Sequence, residues 1–191
     1  ERAAELITFF EAKIDQLRNA LTDLPSSRRP RVYLSFWGTL TRTPVAYEPV
    51  GAAAGINLAD NLLPSFLGTL SAVIPLEQII RWNPEIILLQ GSYAPRERKV
   101  KTEDVLGDTR LASVQAVRNK KVYYTFGFWH WWDPALVLVE TLYLARLFHP
   151  EKLAGFDLEK EGNAIFKKFY GIEGAFSELC RVLKCDDWIS R

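Results

Sequence analysis

Apolar residues recur along this chain in two rhythms. Leu6, Phe9, Phe10, Ile14, Leu17 and Leu21 fall at helical spacing, which predicts an amphipathic helix over roughly the first twenty residues. "DLPSSRRP", Asp23–Pro30, ends it and connects to a strand, Arg31 to Phe36. "GTLTRTP" reads as a loop, and Val45–Ala54 as a weak helix closed by Gly55. Ile74, Leu76, Ile79 and Ile80 suit a short helix, which Asn83–Pro84 stops because proline disfavours the helical conformation in the residue before it. "EIILLQ" is then a continuous apolar run, the pattern of a strand buried on both faces of a parallel sheet. A short helix near Ser113–Arg118 and a third strand, Lys120–Phe126, follow. In "DPALVLVETLYLARLFHP", Asp133 caps the N-terminus, Pro134 fits the first helical position and His149–Pro150 ends the helix. The tail holds two more helical patterns, one from Asp157 to Gly171 and one over Glu173–Lys184. The order is helix, three strand–helix units, then helices. It predicts an α/β, three-layer lobe with a mainly parallel sheet flanked by helices.

In an open parallel sheet, ligands bind beyond the carboxyl ends of the strands. The loops leaving the three predicted strands therefore share one edge. The first, "FWGTLTRTP", carries Trp37 and Arg42; the second, "GSYAPRER", carries Tyr93, Arg96 and Arg98. The third, "FGFWHWWDP", has five aromatic rings among the seven residues Phe126–Trp132, too many neighbours for one strand or helix face to bury. Its candidates are Phe128, Trp129, His130, Trp131 and Trp132. Aromatic faces offer large apolar contact at low conformational cost, and arginine offers forked donors to oxyanions. Together they suit a bulky, partly anionic ligand. For any single ring the competing reading is core packing. For His130 it is a hydrogen-bonded packing residue, against an axial metal ligand. His149, at a helix end, reads as structural, its charge favouring the helix dipole.

Composition removes other classes. The 191 residues suit one large domain or a domain with an appendage, and 48% apolar with 25% charged content is ordinary for a globular chain. A formal net charge of +1 argues against nucleic acid as the main partner. The mixed-sign run "RERKVKTED", Arg96–Asp104, reads as a solvated loop. The longest apolar segment, Ala135–Phe148, is too short to span a membrane and carries Glu140 and Arg146. Cys180 and Cys185 admit either a local disulfide or two free thiols, and they lack the companions a zinc site needs. The chain opens without Met and inside a helical pattern, so it reads as a fragment or a processed form. No nucleophile elbow, phosphate-binding loop or dinucleotide fingerprint appears. Two rivals to a binding role remain: half of a two-domain α/β enzyme, with His130 or Asp108 poised in the cleft, and an interaction domain whose aromatic loop docks a protein.

The ordered segments resemble the substrate-binding proteins of ABC transporters of the iron-complex and cobalamin class. "AAAGINLAD", Ala52–Asp60, is similar to a Gly-Gly-x-Asn-x-Ala signature, with Ala54 in place of the first glycine. "VIPLEQIIRWNPEIILL" resembles the family's helix, Asn-Pro-Asp and buried strand, with Glu85 where Asp is usual. In "VLGDTRLASVQAVRNKKVYYTF" the matching positions are Asp108, Leu111, Ala116–Val117, Asn119–Lys121 and Val122–Tyr123. "LYLARLFHPEKL" resembles the closing helix. The resemblance implies the second half of a two-lobed protein: residues 1–24 as the end of the long interlobe helix and 25–191 as the C-terminal lobe, with the N-terminal lobe absent. It implies a periplasmic or otherwise extracytoplasmic receptor, with a lipid anchor as an option. That receptor would bind a metal chelate and hand it to a membrane permease. The expected cargo is a ferric siderophore or similar iron complex, with haem or cobalamin as alternatives and no intrinsic cofactor. Glu48 is the implied permease-docking glutamate.

Overall fold

A computed structural model of the protein describes residues 1–92, 95–126 and 133–184. In chain order the elements are α1 (Arg2–Ala20), β1 (Arg31–Ser35), β2 (Arg42–Pro44), α2 (Glu48–Ala52), β3 (Ile56–Asn57), β4 (Ser71–Val73), α3 (Leu76–Trp82), β5 (Ile86–Gln90), α4 (Thr102–Gly107), α5 (Gln115–Arg118), β6 (Val122–Thr125), α6 (Pro134–Phe148), α7 (Leu158–Tyr170) and α8 (Ala175–Leu183). A parallel sheet runs in the order β3–β1–β5–β6, and β2 and β4 form a separate antiparallel ribbon.

The register shows which helices cover which face. Tyr33 pairs with Ile87, and Ile87 with Val122, so these three side chains share one face, and Ser35, Leu89 and Tyr124 join them two residues on. On that face the Tyr33 ring lies 6.0 Å from Trp82 of α3, and the Tyr124 hydroxyl accepts the N–H that opens α4, at 3.1 Å. Leu34, Leu88 and Tyr123 point the other way. On that side Phe36, two residues on from Leu34, meets Tyr47 at the entrance to α2 with centroids 5.4 Å apart, and α2 packs on α6, which also contacts α1 and α7. Both faces of the sheet are thus covered, which is why β5 is buried along its whole length.

Local chemistry sets the boundaries. Asn83 ends α3 in the left-handed conformation, and its side chain accepts the Gln115 N–H at 2.8 Å, tying α3 to the start of α5. Asp133 caps α6 by accepting from Ala135 and Leu136 at 3.0 and 3.1 Å. Asp157 caps α7 and Gly171 closes it at φ +74°.

The architecture is the expected α/β one, but four local readings are corrected. The parallel sheet has a further strand, β3, too short to show a period. "GTLTRTP" is not all loop, because Arg42–Pro44 pairs with Ser71–Val73. "RERKVKTED" is not all solvated, because α4 begins at Thr102 and Arg98 is only 8% exposed. His149 does end α6, but as a buried group whose pKa burial pushes below its ordinary 6.5, so a helix-dipole charge does not explain it. Cys180 is buried; its pairing with Cys185 lies outside the described residues.

Candidate functional site

The strands β1 and β5 end side by side, and the chain leaves both at the same edge. Immediately after β1, Trp37 adopts a left-handed φ of +57° and Gly38 follows at +69°. A bulky residue holds such a conformation only where its surroundings fix it. Here Gln90, the last residue of β5, accepts the Trp37 N–H through Oε1 at 2.9 Å, while its Nε2 donates to the Ser92 hydroxyl at 3.2 Å. On the other side of the turn, a Cβ at Gly38 would stand 2.7 Å from Cδ of Lys99, so the lysine stem lies directly on the glycine. Between these two loops is a cavity of about 430 Å³, lined by Trp37, Gly38, Gln90, Glu97, Lys99 and Val100 together with Ser35 and Arg98.

Two of the three arginines at this edge are already engaged. Arg42 projects from β2 and donates from Nε and Nη2 to the Ser71 hydroxyl, both at 3.1 Å. Its guanidinium lies 4.6 Å from the Trp37 ring centroid and 5.7 Å from that of Phe66. Arg42 therefore backs Trp37 by cation–π contact. Arg98 is buried, donating to the carbonyls of Gly91 and Leu183 at 3.2 and 2.7 Å, with its guanidinium 4.2 Å from the centre of the Tyr124 ring. Arg96 points outward, its side chain 88% exposed, and sits 3.7 Å from Glu97. Of the sequence-predicted residues, the fold thus places Trp37 in the cavity lining with Arg42 packed on its ring, and leaves both Arg42 and Arg96 outside that lining. Tyr93, Phe128, Trp129, His130, Trp131 and Trp132 lie outside the described residues.

The third loop is flanked by Phe126 and Asp133. Phe126 is 1% exposed and packs edge-on to Tyr143 and tilted against Phe176, with centroids 5.8 and 5.5 Å apart. It belongs to the core, not to a wall. Its N–H donates to Glu140 Oε2 at 2.7 Å, and Glu140 is itself only 3% exposed. Burial, and after it the Glu140 charge, push the Tyr47 phenol well above its ordinary value. At the far end of the loop, Asp133 accepts a hydrogen bond from Tyr170 as well as capping α6. Phe126 and Asp133, the residues that flank 127–132, are thus each tied into the fold through a carboxylate, that of Glu140 for the first and its own for the second.

Glu48 opens α2 and is exposed; it borders a shallow depression that also includes Tyr47, Gly51 and Asp60. Burial pushes the Asp60 carboxyl up, the Asn57 amide opposes this, and the Glu48 charge adds to the rise. Among the described residues, no group of three or more His, Cys, Asp or Glu side chains could hold a metal ion. No helix among them is long and apolar enough to cross a membrane.

Gln90, Gly38, Lys99 and Glu140 were not singled out for the site from sequence. Gln90 did carry a signal: it is the one polar residue of "IILLQ", and it stands at the strand's carboxyl end, where ligands gather. Glu140, a charge amid the apolar run of α6, carried another.

Residues 1–126 match the family described as periplasmic binding protein, and the chain belongs to that family. It is 26% identical over 178 residues to the molybdate-binding protein MolA of Haemophilus influenzae, a match covering 89% of this chain and 47% of that protein. In solved structures, an ABC transporter solute-binding protein from Sulfurospirillum deleyianum superposes with a TM-score of 0.75 at 23% identity, over 96% of this chain and 56% of that one. MolA bound to molybdate gives 0.71 at 24% identity, over 89% and 51%. Helicobacter pylori CeuE with Ni(II) bound gives 0.73 at 20% identity, over 92% and 55%. The chain thus spans about half the length of these relatives, which are binding proteins rather than enzymes.

Proposed function

We propose that this chain is the C-terminal lobe of the extracytoplasmic solute-binding component of an ABC importer. On this reading, residues 1–24 end the helix that connects it to an N-terminal lobe and 25–191 form the lobe itself. The cargo is a metal complex rich in anionic oxygens, a ferric siderophore in the first instance. The observation that carries this is the cavity of about 430 Å³ at the carboxyl edge of a parallel sheet, walled by Trp37 and bordered by cationic side chains. Arg42 holds the Trp37 ring, and on this reading Tyr93, Phe128, Trp129, His130, Trp131 and Trp132 are further ligand contacts. Rings stack on the apolar parts of the ligand, cations meet its oxygens, and closure against the opposite lobe removes water. Glu48, exposed at the start of α2, offers its charge to a permease arginine.

A second reading, a molybdate oxyanion as cargo, is supported by the likeness to MolA across 89% of the chain. Both readings share ligand chemistry and differ in size. Titration of the full-length protein with ferric catecholate and hydroxamate complexes, molybdate and Ni(II)–histidine separates them. Quenching of tryptophan fluorescence and a rise in Tm with a ferric complex supports the first reading, and a response to molybdate alone the second. A protein that responds to none of them is not such a receptor.

A further inference from the structure

The cavity has an unassigned cation. Three arginines stand near it, yet Arg42 is held by Ser71 and Trp37, Arg98 by two carbonyls and the Tyr124 ring, and Arg96 is turned out beside Glu97. Lys99 lines the cavity, is exposed there, and makes no ion pair among the described residues. The one carboxylate in the lining, Glu97, is offset by Arg96 at 3.7 Å.

Lys99 is also constrained. Its stem crosses Gly38, where φ is +69° and where a methyl group would come 2.7 Å from Cδ and 3.1 Å from Cβ. Only glycine serves there on both counts. The turn that presents Gly38 is fixed in turn by the bond from Trp37 to Gln90. A lysine whose stem rests on a fixed surface gives up less rotamer freedom when its ammonium is engaged.

We infer that Lys99, braced on Gly38, is the residue that selects anionic ligands in this site. The ligand class is oxygen-rich and negatively charged, and the ammonium meets its oxygens with charge-assisted hydrogen bonds beside the Trp37 ring. This rests on the binding-protein reading above and deepens it.

The test uses the full-length protein and three probes in calorimetry: molybdate, a ferric tris-catecholate of charge −3, and an uncharged ferric tris-hydroxamate. Removing one charge-assisted contact corresponds to about tenfold in Kd. Lys99→Gln therefore weakens an anionic probe that the wild type binds by about tenfold or more. It leaves the uncharged complex within about twofold and flattens the salt dependence of anion binding. Lys99→Arg recovers part of the loss. Gly38→Ala, which displaces the lysine stem, weakens the anion in the same direction with Lys99 present. Unchanged anion affinity in Lys99→Gln, at an unchanged Tm, overturns the inference and leaves the function standing. So does a wild type that binds only the uncharged complex. A wild type that binds none of the three overturns both.

Discussion

His149 is a buried imidazole, 1% exposed, with Nε2 3.4 Å from the Ala54 carbonyl. Burial is the largest influence and lowers its pKa below the ordinary 6.5; the Ala54 bond and the Glu151 charge pull the other way, and Arg28 adds to the lowering. The sign follows from which state takes up the proton first. Above about pH 6.5 the ring is neutral folded and unfolded, and there is no penalty. As pH falls through that value the unfolded chain binds a proton that the folded chain resists, so stability drops until the folded pKa is passed. The melting temperature should therefore fall between pH 7 and pH 5, and His149→Gln should fall less over the same interval. Parallel curves for the two proteins would show that His149 is not the group responsible.

At the scale of elements, α7 and α8 cross where Gly162 lies beneath Phe176. A Cβ there would stand 2.3 Å from Cδ1 of Phe176, whose ring also touches Phe126 and Phe166 at 5.5 and 5.7 Å. Gly162→Ala gains up to about 1 kcal/mol of helix propensity but overpacks a fully buried ring, at a cost of about 1–3 kcal/mol. The net expectation is a lower urea midpoint with an unchanged slope; a higher midpoint would mean that the two helices separate freely. Of these helices, α7 was legible in the sequence by its period, its Asp157 cap and its Gly171 stop, and α8, which no side chain caps, by its period alone. So were β1, β5 and β6. In contrast β2, β3 and β4 have only two or three residues each, too few to show alternation, and pairing alone makes them strands. The sheet edge at which the cavity opens followed directly from the parallel order. What did not follow was which cation faces the cavity. Arg42, Arg96, Arg98 and Lys99 look equivalent along the chain, and only packing commits Arg98 to Tyr124 while laying Lys99 on Gly38. Phe126 likewise read as one ring of an aromatic run, whereas its neighbours Tyr143 and Phe176 come from other parts of the chain.

For the whole molecule, the decisive quantity is how much of a ligand one lobe can cover. Binding sites for small molecules bury about 70–90% of the ligand's surface. The cavity here opens between two loops at one sheet edge, and the chain spans about half the length of its relatives. On the two-lobed reading proposed above, the second wall comes from the other lobe, and most of the water is removed only when the lobes close. A ligand at a hundred times its Kd stabilises the protein that binds it by about 2.7 kcal/mol, which is a few degrees in Tm for a protein of this size or larger. The two-lobed protein should show that shift with its cognate ligand. Residues 1–191 alone possess the sheet, its core and both caps of α7, and should melt cooperatively. At the same ligand concentration, however, a Kd weakened a hundredfold leaves the site only half filled, worth about 0.4 kcal/mol, so their shift should be no more than about 1–2 °C. Differential scanning calorimetry of both proteins, with and without ligand, decides it. An equal shift in the two would place the whole site in this lobe, and the Trp37–Lys99 cavity would then be a complete binding site and not one wall of a cleft.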